Sequence, residues 1–164
     1  MIVLSFHNLD SALQAIVTHF INTYNPNALL YDMMYLTGCR YVEANELCRW
    51  ELINGGYYKL TTAKEGEYRT FETYMLPVRF KTLVNAGIEY CSTHSYRTAV
   101  RDFYAASPYR MLKVGNKPIA LHAFRHNYVK RLMSLGYPPA EIQAKLGHKD
   151  IGNTMKYINS VIYY

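Results

Sequence analysis

The chain has 164 residues, of which 50% are hydrophobic, 15% aromatic and 18% charged. This length and composition fit one folded domain with its own core and exclude an intrinsically disordered chain. The formal net charge of +6 is compatible with a polyanionic partner, but a basic excess of this size does not identify one by itself.

The cysteines and the N-terminus indicate the compartment. Cys39, Cys48 and Cys91 are odd in number and form no CxxC pair, so neither a disulfide framework nor a cysteine-based zinc site is expected. The N-terminus lacks the basic segment of a signal peptide, and no apolar run approaches the ~20 residues of a membrane span. We therefore expect a cytoplasmic protein without a membrane partner.

Helical spacing of apolar residues predicts a first helix over residues 10–24, which the Asn25-Pro26-Asn27 segment ends. A second helix is predicted over 28–37 with Gly38 at its end, and a short third helix over about 42–47.

Aromatic and β-branched residues then predict three short strands over residues 50–53, 57–62 and 68–75, joined by turns at 54–56 and 64–67. Further helices are predicted over 78–90, 96–106, 122–135, 139–146 and from 151 to the end, with a loop between 106 and 122. The predicted fold class is α+β, mainly α-helical with a small three-stranded antiparallel sheet.

The first candidate for chemistry is the segment Thr37-Gly38-Cys39-Arg40, with Glu43 one turn later. An arginine after a glycine bend can point its guanidinium into a cleft, where it matches phosphate geometry, and Glu43 is placed to hold it. On this segment alone, an ordinary surface Arg–Glu pair is the better explanation.

Lys64 is the second candidate, since a hairpin turn lets its flexible side chain reach a substrate. An ordinary turn lysine is the alternative, and Lys59 on the preceding strand is a less favoured competitor for any such role.

The third candidate is the helix that carries His122, Arg125 and His126. His122 and Arg125 are three residues apart and share a helix face, so both can contact one anion. A buried Arg125 would need a partner. The pair of histidines also suggests zinc, but the segment lacks the glutamate of HExxH and Arg125 would repel a metal.

The fourth candidate is Leu146-Gly147-His148, followed by Tyr157. The glycine ends a helix, so His148 falls in a bend where its ring can enter a cleft. Because the chain has 17 tyrosines, Tyr157 alone would be a guess.

Taken together and in this order, the segments resemble the signature of the tyrosine recombinases of the phage integrase family. The TGxRxxE segment corresponds to Thr37–Glu43 and the hairpin lysine to Lys64. The HxxRH box corresponds to His122–His126, the LGH box to Leu146–His148, and the TxxY segment to Thr154–Tyr157. Each segment is weakly specific, but their order and gaps together are a strong indication.

The resemblance implies a site-specific recombinase that cleaves and rejoins DNA through a 3′-phosphotyrosyl intermediate. Arg40 and Arg125 would bind the non-bridging oxygens, and His122 and His148 would add hydrogen bonds or help to move the phenol proton. Tyr157 would be the nucleophile and Lys64 the general acid. It implies no metal or cofactor, double-stranded DNA as partner, and self-association into a tetrameric synapse on DNA.

The family usually carries an N-terminal DNA-binding domain, whereas the arginine segment here begins within the first 40 residues. We therefore expect residues 1–164 to be a single catalytic domain, either an excised fragment or a minimal enzyme. The short segment after Tyr157 leaves its assembly open. Related strand transferases, either a DNA-end resolvase or a type IB topoisomerase, remain alternatives, as does a non-catalytic DNA-binding module on the same fold.

Overall fold

A computed structural model describes residues 2–25, 27–45, 50–52, 57–61, 68–72 and 95–164. Within these ranges the chain is mostly helical, and a 3₁₀ turn at Ala120–His122 precedes the fifth α-helix. The α-helices are α1 (Phe6–Asn22), α2 (Ala28–Thr37), α3 (Tyr41–Asn45), α4 (Tyr96–Ala106), α5 (Ala123–Ser134), α6 (Pro139–Leu146) and α7 (Ile151–Ile158). None of these helices is long and apolar enough to cross a membrane.

The expected antiparallel sheet is confirmed. It consists of β1 (Trp50–Leu52), β2 (Tyr57–Thr61) and β3 (Tyr68–Glu72), with β2 in the centre. Lys59 lies on β2, opposite Glu51 and Thr70. The mainly helical α+β class is therefore as predicted, whereas Lys64 and the helix predicted over 78–90 lie outside the described residues.

A second small sheet is present where the sequence predicted a loop and the end of a helix. It contains β4 (Lys113–Val114), β5 (Lys117–Pro118) and β6 (Ile162–Tyr163), in the order β5-β4-β6. The prediction that the last helix runs to the end of the chain is wrong, because α7 ends at Ile158 and the following residues pair as a strand. Val3 forms a bridge with Tyr163, which ties both ends of the chain to this sheet.

The ends of two helices show how side chains and glycine set the boundaries. α1 begins at Phe6, earlier than predicted, because the Ser5 side chain caps it by accepting the Asn8 N–H at 3.2 Å. α5 ends before Gly136, whose φ of +88° allows the Tyr137 N–H to reach the Leu132 carbonyl at 3.1 Å. The predicted glycine stop is confirmed.

Two apolar clusters position the helices. The larger one fills the space among α1, α2, α4 and the start of α5. The smaller one joins α5 to α6, and the half-buried side chains of Tyr157 and Ile158 on α7 pack against it. Its members are Tyr128, Val129, Leu132, Ile142 and Leu146. The last turn of α7 is thus held against α5 and α6 by burial of apolar surface.

A polar network ties α5 to α1 and α2. The Asp10 carboxylate accepts hydrogen bonds from the Tyr35 hydroxyl at 2.9 Å and the Asn127 amide at 2.8 Å. Arg131 lies 3.5 Å from the same carboxylate and stacks over the Tyr35 ring at 4.4 Å. These contacts fix α5, the helix that carries Arg125, relative to the first two helices.

Candidate active site

The bend after α2 is built so that only glycine fits. Gly38 has a φ of +68°, and a Cβ there would lie 2.4 Å from Cδ1 of Tyr128. The Thr37 hydroxyl donates to the Met33 carbonyl at 2.8 Å and accepts the Cys39 N–H at 3.3 Å. This segment ends α2 and turns the chain so that Arg40 enters the site.

Arg40 is held through its backbone. Its N–H donates to the buried Glu43 carboxylate at 2.7 Å. This is the capping-box bond in which a glutamate side chain in the first turn of α3 bonds back to the backbone of the cap residue. The Arg40 side chain is half-buried, and its buried Nη1 has no hydrogen-bond partner among the described residues. A guanidinium nitrogen in this state is suited to donate a hydrogen bond to an anionic ligand.

Among the residues whose burial the structure describes, Arg125 is the largest fully buried side chain, with 1% of its surface exposed. Its Nη1 donates to the Gly38 carbonyl at 2.9 Å, and its Nη2 donates to the Leu146 carbonyl at 3.4 Å. The guanidinium thereby joins the TGxR bend to the LGH bend, two segments that are far apart in sequence. We expected a buried Arg125 to need hydrogen-bond partners, and these two backbone carbonyls and His148 are such partners.

His148 has a defined protonation pattern. Its Nε2 lies 3.0 Å from Arg125 Nη2, and its Nδ1 lies 2.9 Å from the Thr154 hydroxyl. Because arginine only donates, His148 Nε2 accepts and is unprotonated in this arrangement. The neutral ring therefore carries its proton on Nδ1, which donates to the fully buried Thr154 of the TxxY segment.

The Tyr157 ring lies beside His148, His126 and Arg125. Its ring centroid is 5.9 Å from that of His148, with the rings 24° from parallel, and 4.7 Å from that of His126. The Arg125 guanidinium carbon is 5.4 Å from the Tyr157 centroid. The tyrosine predicted as nucleophile is thus beside the predicted anion-binding arginine.

His122 ends the 3₁₀ turn that leads into α5. Together with Arg40 and Arg125 it lines a small cavity of about 20 Å³. Desolvation, together with the positive charges of Arg125 and Arg40, lowers the pKa of His122 below its ordinary value. His122 is therefore a neutral hydrogen-bonding group at neutral pH.

A larger cavity of about 300 Å³ adjoins the same groups. Its lining has cationic and polar side chains and, among the described residues, no carboxylate. The lining residues are Arg40, Val114, His126, His148, Asn153, Lys156 and Tyr157. Such a lining favours an anionic ligand over a cation.

The structure thus brings together Arg40, His122, Arg125, His148 and Tyr157, whereas Lys64 lies outside the described residues. Within those residues there is no cluster of three potential metal ligands. Sequence reasoning missed Asn153 and Lys156 as lining residues. The available signal was helical spacing, since Asn153, Lys156 and Tyr157 share a face of α7.

A mainly helical domain with this convergence of arginines, histidines and a tyrosine has the catalytic-domain fold of a tyrosine recombinase. Two solved structures share this fold. A crystal structure of the XerH site-specific recombinase bound to difH substrate, a pre-cleavage complex, matches with a TM-score of 0.61 and 19% identity. A post-cleavage XerH complex with palindromic difH matches with a TM-score of 0.59 and 19% identity.

The first alignment covers 95% of this chain and 49% of the XerH chain, and the second covers 94% and 48%. The chain therefore spans about half the length of these recombinases. The sequence model of the phage integrase family matches residues 3–161, so the chain belongs to the phage integrase family. No curated protein matches the sequence significantly. The family resemblance stated from the sequence is confirmed.

Proposed function

We propose that this domain cleaves and rejoins DNA strands, with Tyr157 as nucleophile and without a metal ion. The observation that carries the proposal is the position of Tyr157, whose ring lies 5.4 Å from the Arg125 guanidinium and beside a cavity that no carboxylate of the described residues lines. A phosphodiester is a poor electrophile because its anionic oxygens repel nucleophiles. The positively charged side chains of the site offset this repulsion.

Arg40 and Arg125 are the proposed ligands of the two non-bridging phosphate oxygens. Arg40 offers an Nη1 without a partner among the described residues, and it lines both cavities. Arg125 is anchored through Nη1 by the Gly38 carbonyl, which holds its guanidinium at the site before substrate arrives. Cationic donors placed at the site in advance stabilise the additional charge of the transition state.

The chemistry exchanges one phosphodiester for another. The Tyr157 oxygen forms a bond to phosphorus, and the bond from phosphorus to the 5′-oxygen breaks, which leaves a 3′-phosphotyrosyl link. The phenol proton passes to a nearby base, for which His148 is the candidate because its Nε2 is unprotonated. For this transfer, Arg125 Nη2 must first leave His148 Nε2 and bind the phosphate. His122 adds a neutral hydrogen bond.

Lys64 is the proposed general acid that protonates the departing 5′-oxygen. In the reverse direction, a 5′-hydroxyl attacks the phosphotyrosyl link and restores the DNA strand. Attack by the hydroxyl of a different strand gives recombination, whereas resealing of the same strand gives topoisomerase-like relaxation. Product analysis on paired substrates distinguishes these outcomes.

We further propose that duplex DNA is the substrate and that the active assembly contains several copies of the protein. The net charge of +6 and the cationic lining support a polyanionic ligand. The XerH structures that share the fold are complexes of a site-specific recombinase with its difH substrate.

A nicked duplex that loses a short fragment bearing the free 5′-hydroxyl after cleavage traps the covalent complex and tests the proposal. The wild-type domain should give a protein–DNA band that survives denaturation, and Tyr157→Phe should give none while it binds DNA as the wild type does. Tyr163→Phe is the matched control, because it removes a tyrosine hydroxyl from β6, and it should retain the band. DNA binding without a band in the wild type would favour a non-catalytic DNA-binding module.

A further inference from the structure

Three side chains connect α5 to the segment that follows α7. His126 Nδ1 lies 2.9 Å from the Ser160 hydroxyl, which donates to the Tyr157 carbonyl at 2.7 Å. The Lys130 ammonium donates to the Ser160 carbonyl at 2.6 Å. We name His126, Lys130 and Ser160 the Ser160 clamp, because all of its hydrogen bonds end on Ser160 or on the backbone of Tyr157.

The direction of each bond in the clamp follows from the proton count. A serine hydroxyl has one proton, and Ser160 gives it to the Tyr157 carbonyl, so it accepts from His126. His126 therefore carries a proton on Nδ1. Burial, followed by His122, Lys130 and Arg125, lowers the pKa of His126 to about 3, so the ring is neutral with one proton at neutral pH.

The clamp is buried enough to hold its partners in place. His126 has 8% and Ser160 7% of its surface exposed. Burial also lowers the pKa of Lys130, which is half-buried on the same face of α5, one turn after His126. Breaking one of these bonds would leave a buried polar group without a partner, which is unfavourable.

The short length of α7 makes the clamp important for Tyr157. The helix has 8 residues, and its N-terminus is capped by Asp150, which accepts the Gly152 N–H at 2.9 Å. A helix of two turns is marginal alone, so its position depends on the groups that hold its ends. The cap holds one end, and the clamp holds the end that carries Tyr157.

We propose that His126, Lys130 and Ser160 are positioning residues that orient Tyr157 for attack on phosphorus. The inference rests on the proposed function of Tyr157 as the nucleophile. His126 positions Tyr157 through two contacts: its ring packs against the Tyr157 ring, and its Nδ1 forms a hydrogen bond with Ser160. Attack needs the reacting atoms aligned at about 3–3.5 Å, so a loose helix end slows chemistry more than it weakens DNA binding.

Ser160→Ala tests one arm of the clamp and Lys130→Met the other. Ser134→Ala is the matched control, because the Ser134 hydroxyl also donates to the carbonyl three residues earlier, at 2.7 Å, but at the exposed end of α5. We expect both clamp variants to form the covalent complex about 10- to 100-fold more slowly at saturating nicked DNA. Their DNA affinity and the rate of Ser134→Ala should match the wild type, and Lys130→Arg should restore most of the rate.

Amide hydrogen exchange of the DNA-free protein tests the clamp without catalysis. Exchange over residues 151–160 should be faster in Ser160→Ala than in the wild type or Ser134→Ala, with exchange over 123–134 unchanged. Wild-type rates in both clamp variants would overturn the positioning role. If the wild-type chain forms no covalent complex, the proposed function is contradicted, and hydrogen exchange alone then tests the clamp. Equal exchange over residues 151–160 in Ser160→Ala and the wild type would overturn the clamp.

Discussion

Replacing Gly38 with alanine should destabilise the domain and disable the site, for two separable reasons. The backbone at Gly38 has a φ of +68°, where an alanine costs about 1–2 kcal/mol. The new Cβ would also lie 2.4–2.7 Å from three atoms at the base of the Tyr128 side chain. Since these atoms cannot swing away, the backbone or α5 must shift, which typically costs about 1–3 kcal/mol more.

Gly115→Ala is a matched control for this prediction. Gly115 has a similar φ of +60°, but nothing lies within 4 Å of the position of its Cβ. It should therefore show only the backbone cost of about 1–2 kcal/mol. The difference between the two variants isolates the contact with Tyr128.

Urea denaturation followed by circular dichroism measures both free energies of unfolding. Gly38→Ala should lose about 2–5 kcal/mol in total, and its cleavage rate should fall because the Gly38 carbonyl that anchors Arg125 is displaced. Equal losses for Gly38→Ala and Gly115→Ala would refute the close approach of the bend to α5. Full cleavage activity in a folded Gly38→Ala domain would refute the anchoring of Arg125.

Three further predictions concern protonation and charge. Because the pKa of His126 is lowered from 6.5 to about 3, its stabilising effect is complete above about pH 6.5 and is lost as the pH falls towards 3. Wild-type protein should therefore lose about 2 kcal/mol more between pH 7.5 and 5 than His126→Asn in denaturant titrations, and equal losses would refute the assignment. Lys64→Ala should be about 10²–10⁴-fold slow on normal DNA and largely rescued when sulfur replaces the bridging 5′-oxygen, unlike Arg40→Ala. Equal Lys64→Ala defects on both substrates would point to Lys59 as the next lysine to test. Cleavage should survive excess EDTA, because the arginines supply the charge, and rescue of chelated enzyme by a divalent ion would contradict this.

The sequence predicted those parts of the fold that depend on local signals. α2 has the predicted bounds, because apolar spacing and Gly38 define both its register and its end. Gly147, with a φ of +69°, likewise ends α6 where the sequence indicated. The convergence of Arg40, Arg125 and Tyr157 was inferred only from the family resemblance, because no local pattern reveals which distant segments meet.

The parts that sequence reasoning missed depend on contacts between distant segments. β6 forms because residues 162–163 meet β4, and nothing within the C-terminal segment distinguishes that strand from a helix end. The turn before α5 places Ala120 at a φ of +44°, and the Tyr104 hydroxyl accepts its N–H at 3.1 Å from another helix. The pairing of His126 with Ser160 likewise exists only once α5 and α7 have packed.

The identity of the residue linked to DNA tests the central claim most directly. The wild-type complex trapped on nicked DNA is digested with protease and nuclease, and the nucleotide-bearing peptide is located by tandem mass spectrometry. We predict a single modified peptide from α7, with the nucleotide on Tyr157. Attachment to any other residue, such as Tyr163 or Tyr164, would contradict the assignment of the nucleophile.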